Sequence, residues 1–470
     1  MDVVLPRQIV CRIFLNKRYL RALRGWKPLV RRTVISILSM KILISQARIV
    51  DRNSPHNGTI RDILVEDGRI TAIGDPSAGR GLSAKADKTL RHPGLHVSPG
   101  WVDVFAHFCD PGYEFKETLQ TGAAAAAAGG YTDVFVLPNT RPVIDTKSQV
   151  EYIRRAAADL PVHIWPLGAI TRSLEGKDLA EMYDMRNSGA IAFSDGTGPV
   201  QSAGLLLKGL QYIKAFDGVI IQLPDDRTVG ANGLINEGVV STRLGLPGKP
   251  MMAEELMVTR DIELTRYTGS KIHFTGISSP RSLGYIREAK AAGLSVSCSV
   301  TPHHLFFTDA DLSDYDTNLK VYPPLRDGDA VKALRMAVLD GLVDAIASHH
   351  FPQEFDSKTV EFENARSGMS SLETVYPVLR TRLPELTAER TVDLLSVGPR
   401  HLFGLEQPSL KEGQVATLTF FDPGGITQLE NGTTRSRSKN NPFIGKTLNG
   451  SVIGTLNDGR IHLNQQERKR

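Results

Sequence analysis

From Met40 to about His96 the chain runs in short segments of alternating apolar and polar residues, ILISQARIV, DILVEDGRITAIG and LHVSPG, separated by Gly, Asn and Pro turns. A period of two turns one face of each segment to a core and the other to water, which predicts antiparallel strands. The same style returns after about His401, in ATLTFFDP and SVIGTLNDGRIHL. Between these ends the pattern changes. Eight short, almost wholly apolar runs occur at VDVFAHF (102–108), TDVFVLP (132–138), VHIWPLG (162–168), AIAFSD (190–195), GVIIQLP (218–224), KIHFTGI (271–277), SVSCSVTP (295–302) and VDAIASH (343–349), each followed by a longer helical stretch. Strands this apolar are buried on both faces, as a parallel sheet covered by helices requires. KETLQTGAAAAAAGG reads as a helix stopped by glycine. Eight strand–helix units predict an α/β fold, a (β/α)8 barrel, with the two β-rich ends closing into one small β-sandwich. The expected organisation is an N-terminal extension over 1–39, a composite sandwich from 40–98 plus 402–465, and the barrel over 99–401.

Charge changes this picture only at the N-terminus. The 470 residues carry a formal net charge of +5, but nine of the 56 basic residues and only Asp2 of the 51 acids lie in the first 39 positions, leaving 47 against 50 from Met40 onward, a net of −3. The body is mildly acidic, which argues against a nucleic-acid-binding surface. The basic segment suits an organelle transit peptide or a basic arm, yet the clean strand pattern directly after Met40 favours a native start there. No apolar run reaches membrane-spanning length. Three cysteines, Cys11, Cys109 and Cys298, without paired spacing exclude a disulfide framework and point to a reducing, cytoplasmic compartment.

In such a barrel the chemistry sits at the carboxyl ends of the strands. Those positions hold Phe105, His107 and Cys109 on the first strand, Asn139 after the second, Asp195 on the fourth and Gln222 on the fifth. Gly276 follows on the sixth, His303 and His304 after the seventh, and His349 with His350 on the eighth. Histidines and a carboxylate at one mouth suggest zinc, but Gln222 and Gly276 are not zinc ligands, and His303 with His304 read as histidines bonded to loop backbone. Of the adjacent pair His349 and His350, only one can face the pocket.

At these residues the chain resembles dihydroorotases of the cyclic-amidohydrolase family, from Lys41 to about Leu463. The resemblance rests on PGWVDVFAHFCDPGYEFKETLQTGAAAAAAGGYTDVFVLPNT, GAITRSLEGKDLAEM, INEGVVSTRLGLPGKPMMAEELMVTRDIEL, VTPHHLFFTDADL, YDTNLKVYPPLR and SKNNPFIGKTLNGSVIGT, in that order. It implies an amidohydrolase barrel in which a zinc-activated water opens a cyclic amide while a carboxylate shuttles protons. It also implies which positions carry that chemistry, and here most are changed. The first-strand His-x-His metal pair and the substrate-binding Arg fall on Phe105, His107 and Cys109; a phenyl ring cannot ligate zinc, and a neutral thiol cannot replace a guanidinium. The paired Asp-Asp of the fourth strand falls on Asp195 and Gly196. The ligand histidines of the fifth and sixth strands fall on Gln222 and Gly276, the eighth-strand Asp that is both ligand and base falls on His349, and the ring-contacting Asn falls on Tyr322. His107, Asp195, the neighbouring His350 and the substrate-side Asn139 are retained.

With four of six metal positions replaced, the base among them, the leading expectation is a non-catalytic homologue, a pseudoenzyme without a cofactor that serves pyrimidine biosynthesis as a structural or regulatory subunit. The family implies oligomers and, by analogy, aspartate carbamoyltransferase as a partner; nucleic acid and membrane are not expected. Two other readings stand beside it. One is an active hydrolase of another cyclic amide, its zinc held by His107, Asp195 and His349 or His350. The other is a metal-free binding protein in which Phe105 and Tyr322 stack on a flat ring, with Asn139 and Cys109 in the same pocket.

Overall fold

The structure, a computed structural model, describes residues 40–76 and 86–464. The basic extension expected over 1–39, and residues 77–85 and 465 of the expected sandwich, lie outside the described residues.

Both β-rich ends enter one sheet. Its strand order is Arg460–Leu463, Thr447–Asn457, Leu418–Gln428, His96–Pro99, Lys41–Ile49, Ile60–Glu66 and Arg69–Gly74, with Lys88–Arg91 also paired to Lys41–Ile49. The two ends join where Leu418–Gln428 runs antiparallel to His96–Pro99 and Phe420 pairs with Val97. Alternation sends Ile42, Ile44, Val65, Val97, Leu418 and Phe420 into one buried cluster. DILVEDGRITAIG is two strands rather than one. They are joined at Asp67–Gly68, whose φ values of 51° and 72° are the left-handed pair a tight hairpin needs. A bridge between Arg69 and Val415 curls the far edge of the sheet back toward the C-terminal arm.

The eight apolar runs close into a barrel. Parallel pairing links Trp101–Ala106, Tyr131–Val136 and His163–Pro166 in one arc, and Ile220–Gln222, Ile272–Phe274, Val296–Val300 and Ala345–Ile346 in another. The fourth run contributes single parallel bridges, Gly168 to Phe193 and Phe193 to Ile220, and a bridge from Ala106 to His350 completes the circle. The helices Leu119–Ala128, Lys147–Ala156, Met182–Asn187, Ala203–Lys214, Met252–Thr268, Pro280–Ala291, Gly328–Leu339 and Val375–Arg382 follow successive strands. The alanine run packs close because its side chains are small. Ala123, Ala125 and Ala126 are fully buried, Thr118 caps the start through Thr121 N–H, and Gly129 ends the helix.

The first strand departs from its expected alternation. A register irregularity between Asp103 and Ala106 breaks the period of two, so Phe105 joins Val102 and Val104 in the inner barrel cluster. The regular strand then ends at Ala106, two residues before the expected end, and leaves His107 at the rim. Among the described residues no helix is long and apolar enough to cross a membrane.

Candidate functional site

A cavity of about 650 Å³ opens at the carboxyl ends of the strands, where the sequence places the chemistry. His107, Asn139 and Tyr322 line it, together with Lys116, Arg227 and Arg366 from the loops. Lys249 and Asp225 belong to the same lining and form an ion pair of 2.7 Å, both side chains largely buried.

His107 is held on both sides. Its Nε2 lies 3.1 Å from the carbonyl of Asn139, which can only accept, so Nε2 carries the proton and Nδ1 offers its lone pair. That lone pair faces the Cys109 thiol, at 3.3 Å. Burial lowers the imidazole pKa to about 4, so His107 is neutral at physiological pH. Cys109 adopts a left-handed backbone, φ 61°, which turns Sγ back onto His107. The thiol is fully buried, and burial raises its pKa above the ordinary thiol range.

Asp195 serves structure. One carboxylate oxygen accepts from the N–H groups of Ile170 and Thr171, at 2.8 and 3.0 Å, and the other from Thr171 Oγ1 at 2.5 Å. Burial raises its pKa to about 6, against these bonds.

The eighth-strand pair points two ways, as expected of neighbours on a strand, but neither residue lines the cavity. His349, with φ 46°, turns its ring into the barrel, 4.7 Å from the Phe105 ring, and its Nε2 lies 2.8 Å from Thr275 Oγ1. A Cβ on Gly276 would stand 2.6 Å from His349 Cε1. The imidazole therefore fills the room a side chain at position 276 would need. Burial lowers the His349 pKa to about 3. His350 turns outward. Its Nδ1 accepts from Ser371 N–H at 3.1 Å and its Nε2 faces the Glu117 carboxylate at 3.4 Å.

Four expectations are corrected here. Phe105 lies in the inner core and not in the pocket, so it cannot stack on a ligand beside Tyr322; the broken strand alternation is the cause. Cys109 is likewise behind the wall, because its left-handed φ reverses it. On the fifth strand Gln222 points away from the barrel and donates to Asp261, while Leu223 faces inward, 2.9 Å from where the Gly276 Cβ would be. His304 does bond to loop carbonyls, of Pro323 and Pro324, but neither ring nitrogen of the buried His303 has a partner. The cationic loop residues Lys116, Arg227 and Arg366 were not anticipated; basic residues in the loops that follow barrel strands were the available signal.

A zinc centre does not fit these residues. Both His107 nitrogens, both Asp195 oxygens and His349 Nε2 are committed to the protein's own hydrogen bonds; His349 Nδ1 is left without a partner and His350 Nε2 faces Glu117, but among the described residues no three His, Cys, Asp or Glu side chains converge as a metal group. The arrangement can hold an anion at a cationic rim. The His107 lone pair that remains already faces the Cys109 thiol, and the Asp225 carboxylate in the cavity lining is paired with Lys249.

A closed eight-stranded barrel with its mouth at the strand ends and a sheet built from both chain ends defines a cyclic-amidohydrolase fold. Among solved structures, L-hydantoinase from Arthrobacter aurescens matches with a TM-score of 0.78 at 25% identity, covering 89% of this chain and 95% of that one. Dihydropyrimidinase from Brevibacillus agri matches with a TM-score of 0.76 at 20% identity, over 90% and 95%. Within that class the chain belongs to the dihydroorotase family. The family model described as dihydro-orotase-like matches residues 94–282. The dihydroorotase of Syntrophus aciditrophicus is 40% identical over 90% of this chain and 99% of its own length, and that of Geotalea daltonii 39% identical over the same shares.

Proposed function

We propose that this dihydroorotase-family chain is a non-catalytic, metal-free, cytoplasmic subunit of pyrimidine biosynthesis, acting structurally or as a regulator in an oligomeric assembly. The observation that carries the reading is the packing of His349 against Gly276. At the position where the family resemblance implies a carboxylate that binds metal and moves protons, an imidazole is buried among Phe105, Thr275 and Gly276, outside the cavity lining. Loss of the nucleophile's activator and of the base acts on one step, so the remaining groups do not sum to partial activity. By analogy, aspartate carbamoyltransferase is the partner.

The test is metal analysis and dihydroorotate hydrolysis on the purified protein, with co-purification against a carbamoyltransferase. Substoichiometric zinc and no turnover are expected. Stoichiometric zinc and hydrolysis, both lost in His107→Ala, would establish the active hydrolase with a remodelled site instead.

A further inference from the structure

A second cavity, of about 600 Å³, lies at the opposite end of the barrel from the mouth, between the amino ends of the second and third strands and the sheet. Arg154 and Arg186 line it, beside Trp165 and His163. The Arg154 guanidinium lies over the Trp165 indole, 4.4 Å from its centroid, and spends one N–H on the Ile164 carbonyl at 3.2 Å. Arg186 spends Nη1 on the carbonyls of Ala190 and Ile191, at 3.2 and 3.1 Å. The other N–H groups of both make no hydrogen bond to the described residues, and neither guanidinium has an ion-pair partner there.

Three carboxylates, Asp133, Glu406 and Asp458, and a third guanidinium, Arg400, share the lining, but the carboxylates supply no such partner. Asp133 is taken by Arg400 at 2.5 Å and by His163 at 3.2 Å, and Asp458 by the other His163 nitrogen at 2.9 Å. Glu406 stands exposed at the edge. Two open guanidinium forks offer more donors than one planar carboxylate can accept and suit a tetrahedral dianion. The indole beneath Arg154 restricts that side chain before any ligand arrives, which lowers the ordering cost of binding. The volume exceeds a bare phosphate and lies within the range of about 300–1,000 Å³ usual for small-molecule sites.

We propose that this junction cavity binds a phosphate-bearing small molecule, its phosphoryl group held between Arg154 and Arg186. Because Val415 and Thr417 of the C-terminal arm share the wall with Trp165 and Ile191 of the barrel, an occupant ties sheet to barrel. The site is separate from the mouth and does not depend on whether the mouth is catalytic.

The test is calorimetric titration of the full chain with inorganic phosphate and with phenyl phosphate at constant ionic strength, with acetate as the carboxylate control and Trp fluorescence as a second readout. Saturable one-to-one binding is expected, tighter for phenyl phosphate and at least tenfold weaker for acetate. Arg154→Gln and Arg186→Gln should each weaken it about tenfold or more, Trp165→Phe should remove the fluorescence change, Glu406→Gln should tighten binding, and Lys116→Gln at the mouth should leave it unchanged. Should Arg154→Gln fail to fold, Arg186→Gln decides alone, because its guanidinium does not pack on the indole. Absence of saturable heat, equal affinity for acetate, indifference to the arginine substitutions, or sensitivity to Lys116→Gln would each overturn the assignment.

Discussion

Gly276 and His349 share one volume: the ring of the second stands 2.6 Å from where a Cβ of the first would be. The imidazole occupies the room that a side chain at 276 would need, so the core is filled. Leu223 and Phe105 close the same space, with the Leu223 methyl 2.9 Å from that Cβ and the Phe105 ring 4.7 Å from the imidazole.

A side chain at 276 should therefore be costly. Gly276→Ala adds overpacking, typically about 1–3 kcal/mol, to the strain of an alanine at φ +68°. In a His349→Ala background the part of the overpacking due to the imidazole should vanish, while the Leu223 contact and the backbone part remain. Urea unfolding of the four proteins of this cycle measures the difference, and equal costs in both backgrounds would show that the two residues do not compete for space.

Restoring one ligand should not restore zinc. Phe105→His places an imidazole beside the buried His349, with Leu223 and Gly276 unable to ligate, so the variant should bind zinc no better than the parent by elemental analysis after dialysis. Tight stoichiometric zinc in this single variant would refute the ligand inventory.

Buried neutral histidines should make stability fall on acidification. His273 and His304 have pKa values lowered to about 3 and about 4, chiefly by burial. An unfolded histidine titrates near 6.5, so below that pH the unfolded state binds more protons, and stability present above it is lost as pH falls toward the folded values. Asp103, Asp195 and Asp261, raised to about 6 by burial, act in the opposite sense below that pH. A difference measurement isolates the histidine. The stability of the parent relative to His273→Gln should decline by about 1.4 kcal/mol per pH unit below 6.5, and a pH-independent difference between pH 7 and 5 would show that His273 is not buried neutral.

The Lys249–Asp225 pair should be much weaker broken than replaced. Asp225→Asn leaves a buried ammonium without its partner and should cost about 3–5 kcal/mol. Asp225→Asn with Lys249→Met should recover most of it. Chemical denaturation of both variants decides, and a double variant no more stable than the single would count against a buried pair.

Cys109 should be unreactive in the native protein. Its thiol is buried, as is Cys298, whose pKa is pushed up to about 12 by burial. Iodoacetamide labelling mapped by peptide mass should reach both residues only after unfolding. Fast native labelling of Cys109 would show that the mouth opens to it.

The strand and helix pattern was legible in the chain because burial on one or two faces leaves a period that neighbouring residues carry by themselves. Alternation at both ends, eight apolar runs and a glycine-stopped alanine helix sufficed for the barrel and the composite sheet. Direction was not legible. A one-residue irregularity after Asp103 sent Phe105 into the core, left-handed backbone at Cys109 and His349 reversed two side chains, and strand parity turned Gln222 outward and Leu223 inward. The cationic rim, the His349–Gly276 packing and the Arg154–Arg186 cavity each join residues distant in the chain, and only closure of the barrel and docking of the C-terminal arm bring them together. Local periodicity fixes which residues are buried; which groups meet is decided by the three-dimensional packing that competes for each volume.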